Sequence, residues 1–116
     1  MKIQLKRAYD SPSKSDGARL LVDRLWPRGL TKAKARIDLW LKEIAPSTEL
    51  RKWFHAGDAD WKEFCRRYRT ELKNHQDELE LLRNKIRQGP VTLVFSARNR
   101  EQNHAVILQE ILESAL

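Results

Sequence analysis

Cysteine and glycine are both scarce in this chain of 116 residues, and their scarcity excludes several kinds of site. The single cysteine, Cys65, rules out an internal disulfide and leaves no cysteine cluster for a metal ion. The three histidines, His55, His75 and His104, lack the spacing of a metal site. The four glycines stand singly, so there is no glycine-rich phosphate loop and no dinucleotide-binding fingerprint. We therefore expect neither a metal nor a cofactor.

Long apolar runs are also missing from the sequence. No run approaches the roughly 18 residues that span a bilayer, and no signal-like apolar segment opens the chain. Together with the lone cysteine, this favours a protein of the reducing cytoplasm with no membrane partner. The length suffices to bury a core without disulfides or metal, so we expect residues 1–116 to form a single domain.

Positive charge is concentrated in the first third of the chain. Residues 1–36 carry ten lysines or arginines against three aspartates, whereas residues 37–116 carry thirteen basic and thirteen acidic residues. The formal net charge of +7 therefore belongs to the N-terminal third. Because a local field of one sign raises the concentration of anionic partners, an anionic small molecule and a nucleic acid are both candidate partners.

Three segments have the composition of β-strands. Residues 2–8 alternate apolar and polar side chains, which predicts a strand with one wet face. Residues 18–23 are built on an apolar run, and residues 91–95 are β-branched and aromatic, as is typical of buried strands. Helical segments separate the strands, and such crossovers favour parallel pairing. We expect an α/β fold with a small, mostly parallel sheet of three or more strands flanked by five or six helices.

Helical spacing of apolar residues and the positions of capping residues predict the helices. The clearest signal is the amphipathic stripe from Trp61 to Leu72. The predicted segments are a short turn over residues 32–35, helices over residues 37–44 and 76–87, a helix starting at Ser47 and stopped by Gly57, a helix starting at Asp58 or Asp60, and a last helix from an Asn99–Gln102 capping box to about Ser114.

The stretch over residues 20–30 breaks the regular pattern. Its apolar half is followed by a basic loop, because Pro27 cannot continue a central strand. The loop places Arg24, Trp26 and Arg28 at the end of the second predicted strand. In one interpretation Trp26 closes the end of the core and the arginines are solvated. In the other the loop is an anion-binding rim, since guanidinium groups offer several donors to phosphate or carboxylate.

Five segments of the chain carry a resemblance to a known family. They are residues 6–10, 21–29, 45–55, 96–99 and 102–105. They closely resemble the YeaO-like family of small bacterial proteins, a domain-of-unknown-function family, and the Val-Asp-Arg-Leu-Trp-Pro-Arg-Gly run is specific to it. The resemblance covers essentially the whole chain. It implies a soluble, single-domain α/β protein and carries no activity over to it.

In open parallel sheets, ligands bind outside the carboxyl ends of the strands. In this chain those ends bring arginines from two separate loops toward the start of the last helix. That helix start has free backbone N–H groups and a partial positive charge, which suit an anion. The predicted ligand-binding residues are Tyr9, Arg24, Trp26, Arg28, Arg98, Asn99 and Asn103.

Three further residues near the strand ends are candidate catalytic groups: Asp23, Ser96 and His104. Ser96 follows a strand where a phosphatase-like loop places its nucleophile, and His104 could act as a general base. The family resemblance implies that some remote relatives carry a cysteine near this point. This chain has serine there and no Cys-x5-Arg pattern, which disfavours phosphatase chemistry. Asp23 could equally pair with an arginine to hold the loop, and His104 could be a structural, hydrogen-bonded histidine.

The residues support three functional hypotheses. The first is a pocket at the strand ends for a phosphate-bearing small molecule, with or without catalysis. The second is a nucleic-acid-binding module that uses the basic N-terminal third. The third is an interaction domain without catalysis, in which the basic loop only organises the fold.

Overall fold

Four parallel strands form the sheet in the computed structural model, which describes residues 3–57 and 59–114. The strands are β1 (Ile3–Arg7), β2 (Ala18–Leu21), β3 (Leu39–Trp40) and β4 (Val91–Phe95), in the order β1-β4-β2-β3. β4 pairs along its full length with β1, from Ile3 opposite Val91 to Arg7 opposite Phe95. The predicted parallel α/β architecture is confirmed.

Five helices accompany the sheet in the described part of the chain. They are α1 (Lys32–Ala35), α2 (Thr48–Phe54), α3 (Trp61–Leu72), α4 (Gln76–Gln88) and α5 (His104–Ser114), with 3-10 turns at Lys14–Asp16 and Lys42–Ile44. Thr31, Ser47 and Asp60 cap their helices by accepting a backbone N–H, as their residue types predict. The alternative helix start at Asp58 lies outside the described residues. None of the helices in residues 3–57 and 59–114 has the length and apolar character to cross a bilayer.

β4 lies at the centre of the core because both of its faces are covered. Val91, Leu93 and Phe95 join the larger apolar cluster with residues of α2, α3, α4 and α5. Val94 points to the other face, where a smaller cluster includes Ala8 and Leu21 and is covered in part by tryptophans of the basic loop and β3. Every residue of β4 is buried, which accounts for its β-branched and aromatic composition.

The helix predicted over residues 37–44 is wrong. Leu39 and Trp40 instead form the edge strand β3, paired with Leu20 and Leu21, and a 3-10 turn follows at Lys42–Ile44. Tertiary contacts override the helical spacing, because the Trp40 indole N–H donates to the carbonyl oxygen of Asp23 at 2.7 Å.

Two predicted element boundaries also differ from the structure. β2 ends at Leu21 rather than at Asp23. The predicted Asn99–Gln102 capping box does not start α5, which begins at His104. Asn99 instead accepts the backbone N–H groups of Glu101 and Gln102 in a turn ahead of the helix. The residue that accepts an N–H of the first turn of α5 is Asn103.

A buried ionic network lies near the amino ends of the strands. Asp16 is fully buried; its carboxylate accepts from Arg19 at 2.6 Å and forms an ion pair with Lys6 at 2.8 Å. Arg19 also donates twice to the carbonyl oxygen of Ala35. This network anchors the connection between β1 and β2, which contains the 3-10 turn at Lys14–Asp16.

Candidate functional site

A cavity of about 1040 Å³ opens where β1, β2 and β4 end. It contains every residue that the sequence singles out as a candidate site residue. These lining residues are Tyr9, Asp23, Arg24, Trp26, Arg28, Ser96, Arg98, Asn99, Asn103 and His104. The segments that follow β1, β2 and β4 therefore meet at one edge of the sheet, as the parallel topology requires.

Five arginines line the cavity, and they fall into two groups. Arg7 and Arg24 already bind backbone carbonyl groups. Arg7 donates to the carbonyl oxygens of Ser96 and Ala97. Arg24 donates to the carbonyl oxygen of Ala45 at 3.1 Å. The second group is Arg28, Arg51 and Arg98. Their side chains are exposed and have no hydrogen-bond or ion-pair partner among the described residues.

Asp23 is the one carboxylate among the described lining residues, and its side chain is engaged. One oxygen accepts from the backbone N–H of Ser96 at 2.9 Å and, in a short contact, from the Ser96 hydroxyl. The other oxygen lies 3.0 Å from Nε2 of His104. Asp23 thus ties the chain after β2 to the chain after β4 and to the first residue of α5.

His104 is held in place through Nε2. This nitrogen lies 2.9 Å from the carbonyl oxygen of Val22 as well as 3.0 Å from Asp23. Because a carbonyl oxygen can only accept, Nε2 carries a hydrogen in this arrangement. Burial raises the pKa of Asp23, but the contacts with His104 and Ser96 outweigh it and hold that pKa below its usual value.

This geometry differs from a Ser-His-Asp triad. In a triad the histidine lies between the serine and the carboxylate and takes the serine proton. Here Asp23 lies between Ser96 and His104, and the hydroxyl of Ser96 donates directly to the carboxylate. A carboxylate with a lowered pKa is a weak proton acceptor, so Asp23 is poorly suited to activate the Ser96 hydroxyl as a nucleophile. Its contacts are better suited to hold Ser96 and His104 in position.

Several of the predicted ligand-binding side chains already have partners within the protein. Asn103 is almost fully buried, donates to the carbonyl oxygen of Asn99 and accepts from Val106. The indole N–H of Trp26 donates to the carbonyl oxygen of Leu30 at 2.7 Å. These side chains shape the wall, whereas Arg28, Arg51 and Arg98 keep free donors within the described residues.

The sequence of the whole chain matches one family. Residues 2–116 match the family described as "Inactive DUF488-N3 subclade". The chain belongs to this family. It is 49% identical to "Uncharacterized protein YeaO" of Escherichia coli, over 98% of this chain and 99% of the relative. It is 37% identical to "Uncharacterized protein Rv3073c" of Mycobacterium tuberculosis, over 96% of this chain and 93% of the relative.

These relatives confirm the resemblance to the YeaO-like family. No solved structure matches the chain. Within residues 3–57 and 59–114, no group of three or more histidine, cysteine, aspartate or glutamate side chains could hold a metal ion.

The part of the cavity wall that α2 and α3 contribute is not predicted from the sequence. Arg51, Phe54, His55 and Phe64 line the cavity from this side. The helical pattern assigns Phe54 and Phe64 to the core, which is correct for Phe64, but it says nothing about how α2 is placed against the strand ends. A basic residue and a histidine beside the apolar stripe of α2 were the one available signal.

Proposed function

We propose that the cavity at the strand ends binds a phosphate-bearing small molecule. The observation that carries the proposal is the group of Arg28, Arg51 and Arg98 around one cavity, each exposed and without a side-chain partner among the described residues. Guanidinium groups bind phosphate oxygens through paired N–H donors, so three free arginines around one cavity favour an anionic ligand. The negative charge of Asp23 should repel a bound anion only weakly, because its carboxylate already contacts Ser96 and His104.

The contacts among Asp23, Ser96 and His104 agree better with ligand binding than with catalysis. The hydroxyl of Ser96 donates to Asp23, and His104 is held by Val22 and Asp23 rather than by Ser96. The family description contains the word "inactive", which agrees with a binding role. Asp23, Ser96 and His104 are therefore proposed as residues that position the two loops.

The first test is binding of inorganic pyrophosphate, measured by thermal shift and calorimetric titration. A ligand of the folded state at about 100 times its dissociation constant adds about 2.7 kcal/mol to the unfolding free energy. Arg28→Gln should weaken pyrophosphate binding by about tenfold or more, because a charge-assisted bond to phosphate is lost. Its melting temperature without ligand should stay close to that of the wild type, since the side chain is exposed.

Arg36→Gln is the matched control for Arg28→Gln. Arg36 is exposed and follows α1, near the amino ends of the strands, where the backbone N–H of Asp38 donates to the carbonyl oxygen of Arg19. Its replacement removes the same charge far from the cavity and should leave pyrophosphate binding unchanged. Equal losses in both variants would point to general charge attraction and contradict the proposal. Loss of folding in Arg28→Gln would favour the hypothesis that the loop organises the fold.

A nucleic-acid partner is the alternative prediction, but fewer basic side chains are free to bind a phosphate backbone than the sequence suggests. Of the ten basic residues in the N-terminal third, Lys6, Arg7, Arg19 and Arg24 are bonded within the protein. Titration of duplex DNA at two salt concentrations tests this alternative, because contacts with the phosphate backbone weaken steeply as salt rises. Absence of binding at low salt would exclude it.

A further inference from the structure

The cavity has an apolar side that phosphate alone does not explain. Tyr9 and Leu25 line it, and their residues are 46% and 61% exposed. Among the described residues one other large apolar side chain is exposed, Leu81 at 38%. Two of the three such side chains are therefore placed at the same cavity. Exposed apolar groups that cluster at a pocket usually mark a surface that a ligand covers.

Another part of the cavity lining, from α2 and α3, is aromatic. The rings of Phe54 and Phe64 are stacked with centroids 4.1 Å apart, and the His55 ring lies 5.6 Å from that of Phe54. All three residues line the cavity, and Phe54 is partly exposed. Phe64 itself is buried, and the Arg7 guanidinium lies over one face of the Tyr9 ring. A flat ring in the cavity would therefore contact Phe54, His55 and Leu25.

We infer that the ligand is a mononucleotide, whose phosphate binds to Arg28, Arg51 and Arg98. Its base contacts the apolar wall, which we define as Leu25 together with the partly exposed Phe54. The inference rests on the proposed function and names its ligand class. Pockets for organic ligands combine an apolar lining with a few polar groups that fix orientation, and this cavity has both parts. Its volume of about 1040 Å³ far exceeds that of a bare phosphate group.

The experiment compares three kinds of probe by calorimetric titration of the full chain. The probes are inorganic phosphate, the four common ribonucleoside monophosphates and the corresponding nucleosides. At least one monophosphate should bind ten times more tightly, or better, than inorganic phosphate, because stacking of a base on an aromatic wall adds about ten- to a hundredfold in affinity. The nucleosides should bind much more weakly than their monophosphates, because they lack the anionic group.

Leu25→Ser tests the apolar side directly. It should reduce the ratio of monophosphate affinity to inorganic phosphate affinity by about fivefold or more, since apolar contact area with the base is lost. Leu81→Ser, on α4 outside the cavity, is the matched control and should leave the ratio unchanged. Circular dichroism would verify that both exposed-site variants are folded.

The outcomes separate this inference from the proposal beneath it. Inorganic phosphate or pyrophosphate that binds through Arg28 as tightly as every monophosphate would overturn the mononucleotide and leave the anion site intact. A ratio that Leu25→Ser does not change would also overturn the assignment of the apolar wall. Absence of binding by every phosphate-bearing probe would overturn both.

Discussion

Replacing Asp23 by asparagine should destabilise the protein by about 2–4 kcal/mol at pH 7, because hydrogen bonds to a mostly buried charge are lost. Asp23 is 9% exposed. One carboxylate oxygen accepts from Ser96, and the other lies 3.0 Å from the Nε2 nitrogen of His104 without a hydrogen bond of its own. Asparagine has one oxygen and one NH₂ group, so either orientation of the amide sets a donor against a donor.

The pH dependence of this effect has a definite sign. Burial raises the pKa of Asp23, but His104 and Ser96 lower it more, so the net value in the folded protein lies below the usual one. A carboxyl group of this kind stabilises the fold fully above its unfolded pKa of about 4 and loses that contribution as pH falls through its lower native value. The difference between wild type and Asp23→Asn should therefore narrow on acidification below about pH 4.

Urea unfolding followed by tryptophan fluorescence measures both quantities. Asp10→Asn serves as the control, because the bidentate partner of Asp10, Arg100, is 56% exposed at its side chain. The backbone N–H of Arg7, which Asp10 also accepts, can be accepted by an asparagine oxygen as well. Its replacement should cost about 1 kcal/mol or less. The reasoning is refuted if Asp23→Asn is as stable as the wild type, or if the gap between them stays constant from pH 7 to pH 3.

Two further predictions concern the amino ends of the strands. Asp16→Asn should cost about 3 kcal/mol or more in urea unfolding at pH 7, because Arg19 stays buried without its carboxylate; a cost similar to that of a surface pair would contradict this. Gly17→Ala should lower the melting temperature more than Gly57→Ala. Both glycines have positive φ, but only at Gly17 would the new Cβ collide with the carbonyl group of Pro90. Equal losses in calorimetric scans would refute the steric argument.

Much of the fold was predictable because its strongest signals are local. The apolar stripe from Trp61 to Leu72 has helical spacing, and the structure has a helix there. The apolar run over residues 91–95 is typical of a buried strand, and the structure has a strand there. Residues 37–44 show the limit of this reasoning. Apolar side chains at helical spacing there serve an edge strand and a 3-10 turn, because the indole of Trp40 packs edge-on against Trp26 at 5.4 Å.

The meeting of the candidate residues was predictable for a topological reason. Parallel strands place their carboxyl ends at the same edge, so Arg28 and Arg98 had to approach one another once the sheet was known to be parallel. The states of individual side chains were not predictable. Whether Arg24 meets a ligand or the carbonyl oxygen of Ala45 depends on where residues 45–46 pass, and no periodicity in the sequence encodes that path.

The position of β4 within the sheet has a consequence for how the protein is made. β1 and β2 each pair with β4 and not with each other, although about seventy residues separate β2 from β4 along the chain. A ribosome adding residues in order thus releases β1 long before its partner exists. The cavity, whose far rim begins at Ser96, is completed with the final segment. A prematurely terminated polypeptide would therefore expose unpaired strand edges and should be removed by proteases rather than persist as a partly working product.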